Sequence, residues 1–382
     1  MNDDEQQLRE QLEAITAPPS RLEAEALLEA GRRRSFRRRT WQAAGGVALA
    51  TTGVVVAVPL VMRDAAPPPP TAAVVAGTPS ARTVACTSKA LRLPPGAKEA
   101  TADGVDPSGR YIIGHDSAGQ DFRPILWTDG VPKRLPQKEK SVQLTTVNAR
   151  GVVAGLATEG NSDYVFRYDN GRFTRLKPPS GRWHVYPWPM MNAAGDIVIN
   201  AEPEGNIEGK DSIALYWKAG TTTAVKLPLP TEANVYDITD DGTIVGGTFV
   251  DGEGREAYAW DLTGKGRKLT APDDSRAIAY AAEGNWATGG LWRGNSDGKA
   301  VLWDLRTGEL TKLDGPGPGD AVNKDGWVVS TGTAFRNGEP LELPVPKGRD
   351  VFPRGVSNTG LIVGHTSAQD DNGLSEPRTW QC

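Results

Sequence analysis

The 382-residue chain has few of the residues that most often carry chemistry. It holds two cysteines, three histidines and four methionines. Two thiolates cannot by themselves make a tetrahedral zinc site. The histidines form no HxxxH pattern and no pattern with carboxylates, so no metal ligands are assigned. No Gly-x-Ser-x-Gly elbow and no phosphate-binding loop is present, so no catalytic residue and no cofactor-binding residue is assigned. The formal net charge of −4 gives no pull toward nucleic acid. The eight Arg before residue 40 are matched there by eight Asp and Glu, so the remainder shows no basic face either.

Glycine and proline, at 44 and 29, are plentiful. They fall at regular turn positions, which separates the chain from low-complexity disorder. One phrase recurs: a turn residue, two small or polar residues, Gly, a short apolar run, and usually a second Gly. Asn148-Ala-Arg-Gly151 with Val152-Val-Ala-Gly155 is one copy, and Asn358-Thr-Gly360 with Leu361-Ile-Val-Gly364 is another. The turn glycines are 109, 151, 195, 242, 284, 326 and 360, spaced 42, 44, 47, 42, 42 and 34 apart. Between turns each copy offers four short strands. About 42 residues carrying four antiparallel strands is one blade of a β-propeller. An aromatic marks the third strand: Trp127, Tyr168, Trp217, Trp260, Trp303, Phe335 and Trp380. Large aromatics at one place per blade read as packing between blades.

The expected fold is therefore all-β: a seven-bladed propeller of four-stranded antiparallel blades over residues 85–382. Nothing follows Trp380 except Gln381-Cys382, so the last blade lacks its fourth strand. Ala90-Leu-Arg-Leu93-Pro94 precedes the first full copy and matches Lys133-Arg-Leu-Pro136. It is expected to supply the missing strand and to remove the open edge. That topology brings Cys86 to Cys382 as a disulfide, the alternative being two free thiols or a redox pair. Loops of more than 100 residues closed this way gain about 4–5 kcal/mol in chain-entropy models.

Upstream, residues 1–40 read as an amphipathic, basic leader with two short helices, the second opening on the capping box Ser20-Arg-Leu-Glu23. A cytosolic partner for these helices is one reading, a solvated leader the other. Trp41 through Met62 carries no charge and is long enough to span a bilayer as a helix. Arg32-Arg-Arg34 and Arg37-Arg-Arg39 precede it, against Arg63 alone after it. The positive-inside rule then expects a single-pass protein of the cytoplasmic membrane, N-terminus inside and propeller outside. A cleaved signal peptide would need an unusually long leading region and a shorter apolar run. Residues 63–84 form a Pro/Ala-rich linker, semi-rigid through four consecutive prolines.

The phrase Ala321-Val-Asn-Lys-Asp-Gly-Trp-Val-Val329, with strands such as Ala334-Phe-Arg-Asn-Gly338, resembles the HAF-repeat family of bacterial extracytoplasmic β-propellers. The likeness covers roughly residues 95–380. It departs where Asn200 and Ser330 replace the second Gly. The leader and anchor look like those of actinobacterial membrane proteins. The resemblance implies fold and export and brings no agreed catalytic residues.

The candidate ligand face is made by the loops that join second to third strands and by those that join one blade to the next. His115 follows Gly114 and His365 follows Gly364, the same slot in blades that become neighbours when the ring closes. His184, Trp183 and Trp188 cluster before blade three. Asp251-Gly-Glu253 and Asp370-Asp-Asn372 hint at calcium loops without fitting a known spacing. A binding or scaffolding module for a protein, peptide or wall polysaccharide is the expected class. An envelope carbohydrate-active enzyme and a transmembrane signalling adaptor are the alternatives.

Overall fold

A computed structural model describes residues 86–118, 121–206, 211–250, 252–294, 298–369 and 373–382. The leader, the apolar stretch 41–62, the linker, and Asp251, Asp370, Asp371 and Asn372 lie outside the described residues.

Among the described residues, twenty-eight strands form seven four-stranded antiparallel sheets. The first, β1 (Thr87–Ala90), is set apart and belongs to the last blade. Blade one is β2 (Thr101–Val105), β3 (Tyr111–Ala118), β4 (Asp121–Thr128) and β5 (Val131–Arg134). Blade two is β6 (Ser141–Val147), β7 (Val153–Glu159), β8 (Ser162–Asp169) and β9 (Arg172–Arg175). Blade three is β10 (Trp183–Met191), β11 (Ile197–Pro203), β12 (Ile213–Trp217) and β13 (Val225–Lys226). Blade four is β14 (Ala233–Ile238), β15 (Ile244–Val250), β16 (Glu253–Trp260) and β17 (Gly266–Lys268). Blade five is β18 (Arg276–Glu283), β19 (Trp286–Trp292), β20 (Lys299–Asp304) and β21 (Leu310–Lys312). Blade six is β22 (Gly319–Val322), β23 (Val328–Ser330), β24 (Thr333–Arg336) and β25 (Glu339–Leu341). Blade seven is β26 (Arg349–Val356), β27 (Leu361–Ala368) and β28 (Ser375–Gln381), completed by β1.

Ring closure holds, with one correction. The outer strand of blade seven is Thr87–Ala90, paired from Thr87↔Gln381 to Ala90↔Arg378, not the segment ending at Leu93. The repeat explains the shift. In blades one to five the residue just after the fourth strand is a buried leucine: Leu135, Leu176, Leu227, Leu269 and Leu313. Each donates its backbone N–H to a carbonyl of the third-strand side, as Leu135 does to Pro124 O at 3.1 Å. Leu91 does the same to Pro377 O at 2.9 Å and is the true counterpart. The Leu91-Arg-Leu93-Pro94 tail offers two leucines on one face, and the wrong one matches better by sequence. Cys86 and Cys382 are disulfide-bonded, 296 residues apart, with Cα atoms 4.2 Å apart.

The third-strand aromatics are all buried, from 0% exposed at Trp127, Trp303 and Trp380 to 5% at Tyr168. Four indoles also donate a hydrogen bond across a blade boundary. Trp127 reaches Arg92 O at 2.8 Å, Trp217 reaches Lys177 O at 3.1 Å, Trp303 reaches Thr270 O at 2.7 Å and Trp380 reaches Pro344 O at 2.9 Å. Each acceptor follows the fourth strand of the preceding blade. One side chain thus fills the space between two sheets and ties down the backbone that connects them.

The turn residue makes a second set of seams. Asn323 Oδ1 accepts the N–H groups of Asp325 and Trp327 at 3.0 and 2.9 Å, closing its own turn. Its Nδ2 donates to Ser357 O of the next blade at 2.9 Å. Asn148 and Asn192 repeat this toward Ala193 O and Thr239 O. The glycine that follows must accept φ of +74° at Gly326 and also gives room for the Trp286 ring, 3.2 Å from where a Cβ would stand. Asn323→Ala removes three hydrogen bonds at a site 1% exposed. It is expected to lower stability by about 2 kcal/mol. Asn323→Ser is expected to recover part of that, since Ser357 closes its own turn by accepting the N–H groups of Thr359 and Leu361 on Oγ. Urea-unfolding midpoints of the two variants check the ordering.

The second glycine of the phrase has a separate cause. A Cβ at Gly289 would stand 1.9 Å from the carbonyl oxygen of Ile278 in the facing strand. Gly114, Gly155, Gly246 and Gly364 meet the same first-strand carbonyl at 1.9–2.2 Å. In blade three the facing strand breaks register between Tyr186 and Met190, and Asn200 fits there. Its amide exchanges hydrogen bonds with Val235 N and O at 2.8 and 2.9 Å. In blade six Ser330 faces Gly319, and its hydroxyl reaches Pro316 O at 2.7 Å.

Candidate functional site

Each first strand touches the first strands of both neighbours, all the way round the ring. These seven strands therefore line the centre. Every one carries a register break: at Asp103, Thr145, Pro187–Pro189, Tyr236, Tyr280, Asp320 and Arg354. A bulge inserts one unpaired residue and re-aims its side chain. The six single-residue bulges are partly exposed, between neighbours that are mostly buried, so they form the wall of a central channel. This ring was missed in the sequence. Its signal is a fixed offset from the residue that opens each turn in the structure: Asp103, Thr145, Pro189, Tyr236, Tyr280, Asp320 and Arg354 stand three before Asp106, Asn148, Asn192, Thr239, Glu283, Asn323 and Ser357, the last being one residue ahead of the Asn358 that the repeated phrase marks.

The two halves of the ring differ in hydrogen bonding. In blades one to three the polar groups are satisfied by the protein. Asp103 Oδ2 lies 2.6 Å from His115 Nδ1 and 3.2 Å from Thr101 Oγ1. Thr145 Oγ1 donates to Pro189 O at 2.6 Å. The Tyr186 hydroxyl meets Ser212 Oγ and donates to Asn234 Oδ1 at 3.1 Å. In blades four to seven they are not. Among the described residues, the Tyr236 and Tyr280 hydroxyls, the Asp320 carboxyl and the Arg354 guanidinium have no hydrogen-bond or ion-pair partner. His365, 9% exposed, leaves its buried Nδ1 unpartnered.

The unsatisfied arc has an aromatic side and a charged side. Tyr236 and Tyr280 meet edge to face with centroids 5.1 Å apart, flanked by Phe249 and Trp292 at 6.3 and 6.2 Å. Asp320 acts electrostatically on Tyr280 and feels Arg354; Arg354 in turn acts on His365. Burial pushes the Asp320 carboxyl up to about 7, against the pull of Arg354. Burial also pushes His365 down to about 4, opposed by Asp103 and reinforced by Arg354 and His115. Burial works against the Asp103 carboxylate too, but His115, with help from His365 and Thr101, holds it below the usual range.

A raised acid favours the folded state below its unfolded pKa and loses that favour as pH rises through the folded value. Asp320→Asn is therefore expected to be more heat-stable than the native protein at pH 8, on the order of 2 kcal/mol, and this gain is expected to shrink as pH falls toward 4. His365 carries the opposite sign: its contribution is full above about 6.5 and is lost as pH falls through 4. Calorimetric scans of both proteins from pH 4 to 8 check the crossing.

Of the residues expected on the ligand face, His115 and His365 do come together, both beside Asp103. They stand inside β3 and β27, 7% and 9% exposed, rather than in loops. Phe122 packs edge-on to His115 at 4.4 Å and Phe352 stacks on His365 at 5.2 Å. His184 belongs to blade three, where it stacks on Tyr186 at 6.3 Å and feels Asp163 and Glu204. Trp183 packs against the core of blades two and three, its indole N–H 3.4 Å from Ser180 O, and Trp188 sits half-buried in the break of β10. Among the described residues no group of three His, Cys, Asp or Glu converges to hold a metal.

No family model matches this chain, and no curated protein matches it in sequence. Its likeness is to solved structures, at the level of fold. The β-propeller domain of the trilobed protease from Pyrococcus furiosus, which has an open velcro topology, aligns with TM-score 0.52 at 12% identity over 74% of this chain and 96% of that one. Oligogalacturonate lyase from Vibrio parahaemolyticus aligns with TM-score 0.51 at 9% identity, covering 78% and 97%. A puromycin-hydrolysing peptidase from Mycobacterium tuberculosis aligns with TM-score 0.50 at 12% identity, covering 73% and 53%. The class is thus a seven-bladed β-propeller. In this chain β1 closes the ring.

Proposed function

We propose that this protein is a membrane-anchored, extracytoplasmic binding or scaffolding module of the HAF-repeat type, and that it takes its ligand at the mouth of the central channel. The observation that carries this reading is the arc of unpartnered polar groups in blades four to seven, set against satisfied groups in blades one to three. Specific small-ligand sites join an apolar wall to a few convergent polar heads, and this arc has both. Export is supported by the Arg cluster ahead of the uncharged stretch 41–62 and by the bonded cysteines, since disulfides persist in oxidising compartments. The repeated turn phrase supports the family placement.

An envelope enzyme is the second reading. The short Asp103–His115 pair with His365 beside it favours it, because a carboxylate-oriented imidazole is a general-base arrangement. The lyase and hydrolase neighbours share only the fold and do not decide the matter. Full-length protein in nanodiscs, offered cell-envelope fractions, separates the readings. The binding role predicts retention of a peptide or saccharide that is lost in Tyr280→Ala and recovered chemically intact. Retention unaffected by Tyr280→Ala contradicts it, and cleavage of the retained material that stops in His115→Ala supports the enzyme.

A further inference from the structure

We infer, on the footing of that binding role, that the channel mouth of blades four to seven is a site for an acidic saccharide, with the sugar carboxylate on Arg354 and the sugar ring against Tyr236 and Tyr280.

The charge sets the first requirement. Arg354 points from its bulge into a half-buried position and finds no ion-pair partner among the described residues. Asp320 and Asp103 stand on the bulges to either side, Asp320 within electrostatic reach but outside ion-pairing distance. A half-buried guanidinium with no partner calls for an anion, and its planar fork matches a carboxylate with two parallel hydrogen bonds. The flanking carboxyls decide which anion. A doubly charged phosphate would be repelled by both, whereas a singly charged carboxylate is tolerated. A protonated Asp320 can itself donate to it.

The remaining groups set the second requirement. Two tyrosine hydroxyls, two carboxyl oxygens of Asp320 and Nδ1 of His365 all lack partners, and they are spread over four consecutive blades. A peptide end brings one carboxylate and few further polar atoms of its own. A uronic acid brings one carboxylate and several hydroxyls around a rigid ring, each able to donate and accept. Its C–H face also suits the aromatic side made by Tyr236, Tyr280 and Trp292, which lies next to the charged side. Blades one to three, already satisfied internally, serve as the closed back of the channel.

Full-length protein in nanodiscs should be titrated with a four-sugar oligouronate and with its carboxyl-reduced counterpart, by calorimetry. The oligouronate is expected to bind, and the reduced sugar at least tenfold more weakly. Arg354→Gln is expected to lower oligouronate affinity at least tenfold and to remove the preference over the reduced sugar, while Arg354→Lys keeps part of it. Tyr280→Phe is expected to weaken both sugars alike. Unfolding midpoints of each variant show whether the ring is intact, and the carboxylate preference itself is read on native protein, so a misfolded variant leaves the test standing. Equal affinity for acidic and reduced sugar overturns the assignment, as does a preference that survives Arg354→Gln. A phosphorylated sugar or a peptide carboxylate that binds tighter at Arg354 also overturns it but leaves the binding role in place. Envelope material retained through Tyr280, with no saccharide bound, has the same meaning; no retention of any kind removes both.

Discussion

Replacing Cys86 and Cys382 with serine is expected to lower the unfolding free energy by about 3–5 kcal/mol. The bond spans 296 residues. Chain-entropy models give about 6 kcal/mol for a loop of that order, and they grow only slowly with length. What the bond holds in place is short. β1 has four residues, and its side chains are mostly exposed. Its attachment is the ladder to β28, the Leu91 N–H to Pro377 O, and the Arg378 guanidinium to Ser88 Oγ at 2.8 Å. Such a strand holds its place weakly once its anchor is cut. The double variant should therefore remain a propeller, yet exchange the amides of β1 and of the outer edge of β28 far faster than those of β26 and β27. Hydrogen exchange read by mass spectrometry checks the pattern. An unchanged midpoint would mean that the ladder alone closes the ring.

Trp303→Ala is expected to lower stability by about 3–5 kcal/mol, and Trp303→Phe by about 1–2 kcal/mol. The indole is fully buried and packs with Val245, Ala257 and Leu269 of blade four and with Ala287 and Val301 of blade five. Truncation opens a cavity between two sheets that cannot collapse, because both are held in the ring by their other neighbours. It also leaves Thr270 O without its donor. Phenylalanine refills most of the space and leaves the carbonyl unpaired, so the gap between the two variants isolates the cavity from the hydrogen bond. Urea unfolding of both, with the slope compared with that of the native protein, makes the measurement.

The parts of this fold that repeat were readable in the sequence, and each for a local reason. The turn phrase recurs because Asn or its stand-ins close the turn and reach the next blade. The third-strand aromatic recurs because it fills the seam. The two cysteines could be paired once the missing strand of the last blade was noticed. What failed was register. Leu91 and Leu93 carry the same apolar signal, and only pairing partners distinguish them. The channel wall was invisible for a deeper reason. A bulge adds one residue to a strand and leaves no mark in composition, and its side chain is free of the packing that makes other positions alike. Hence Asp103, Thr145, Tyr236, Tyr280, Asp320 and Arg354 share a place and no chemistry. His115 and His365 were visible by their shared slot, but their burial was not, since a polar residue after Gly reads as a loop.

The proposed binding role rests on an open, unpartnered arc at one side of the channel, and side-chain footprinting addresses it most directly. Full-length protein would be labelled at tyrosines and carboxyls with and without the ligand retained from envelope fractions, and read by mass spectrometry. Protection of Tyr236, Tyr280 and Asp320, with Glu159 and Asp163 of blade two unchanged, is the predicted result. Unchanged labelling at those three positions, or protection confined to blades one to three, would contradict it.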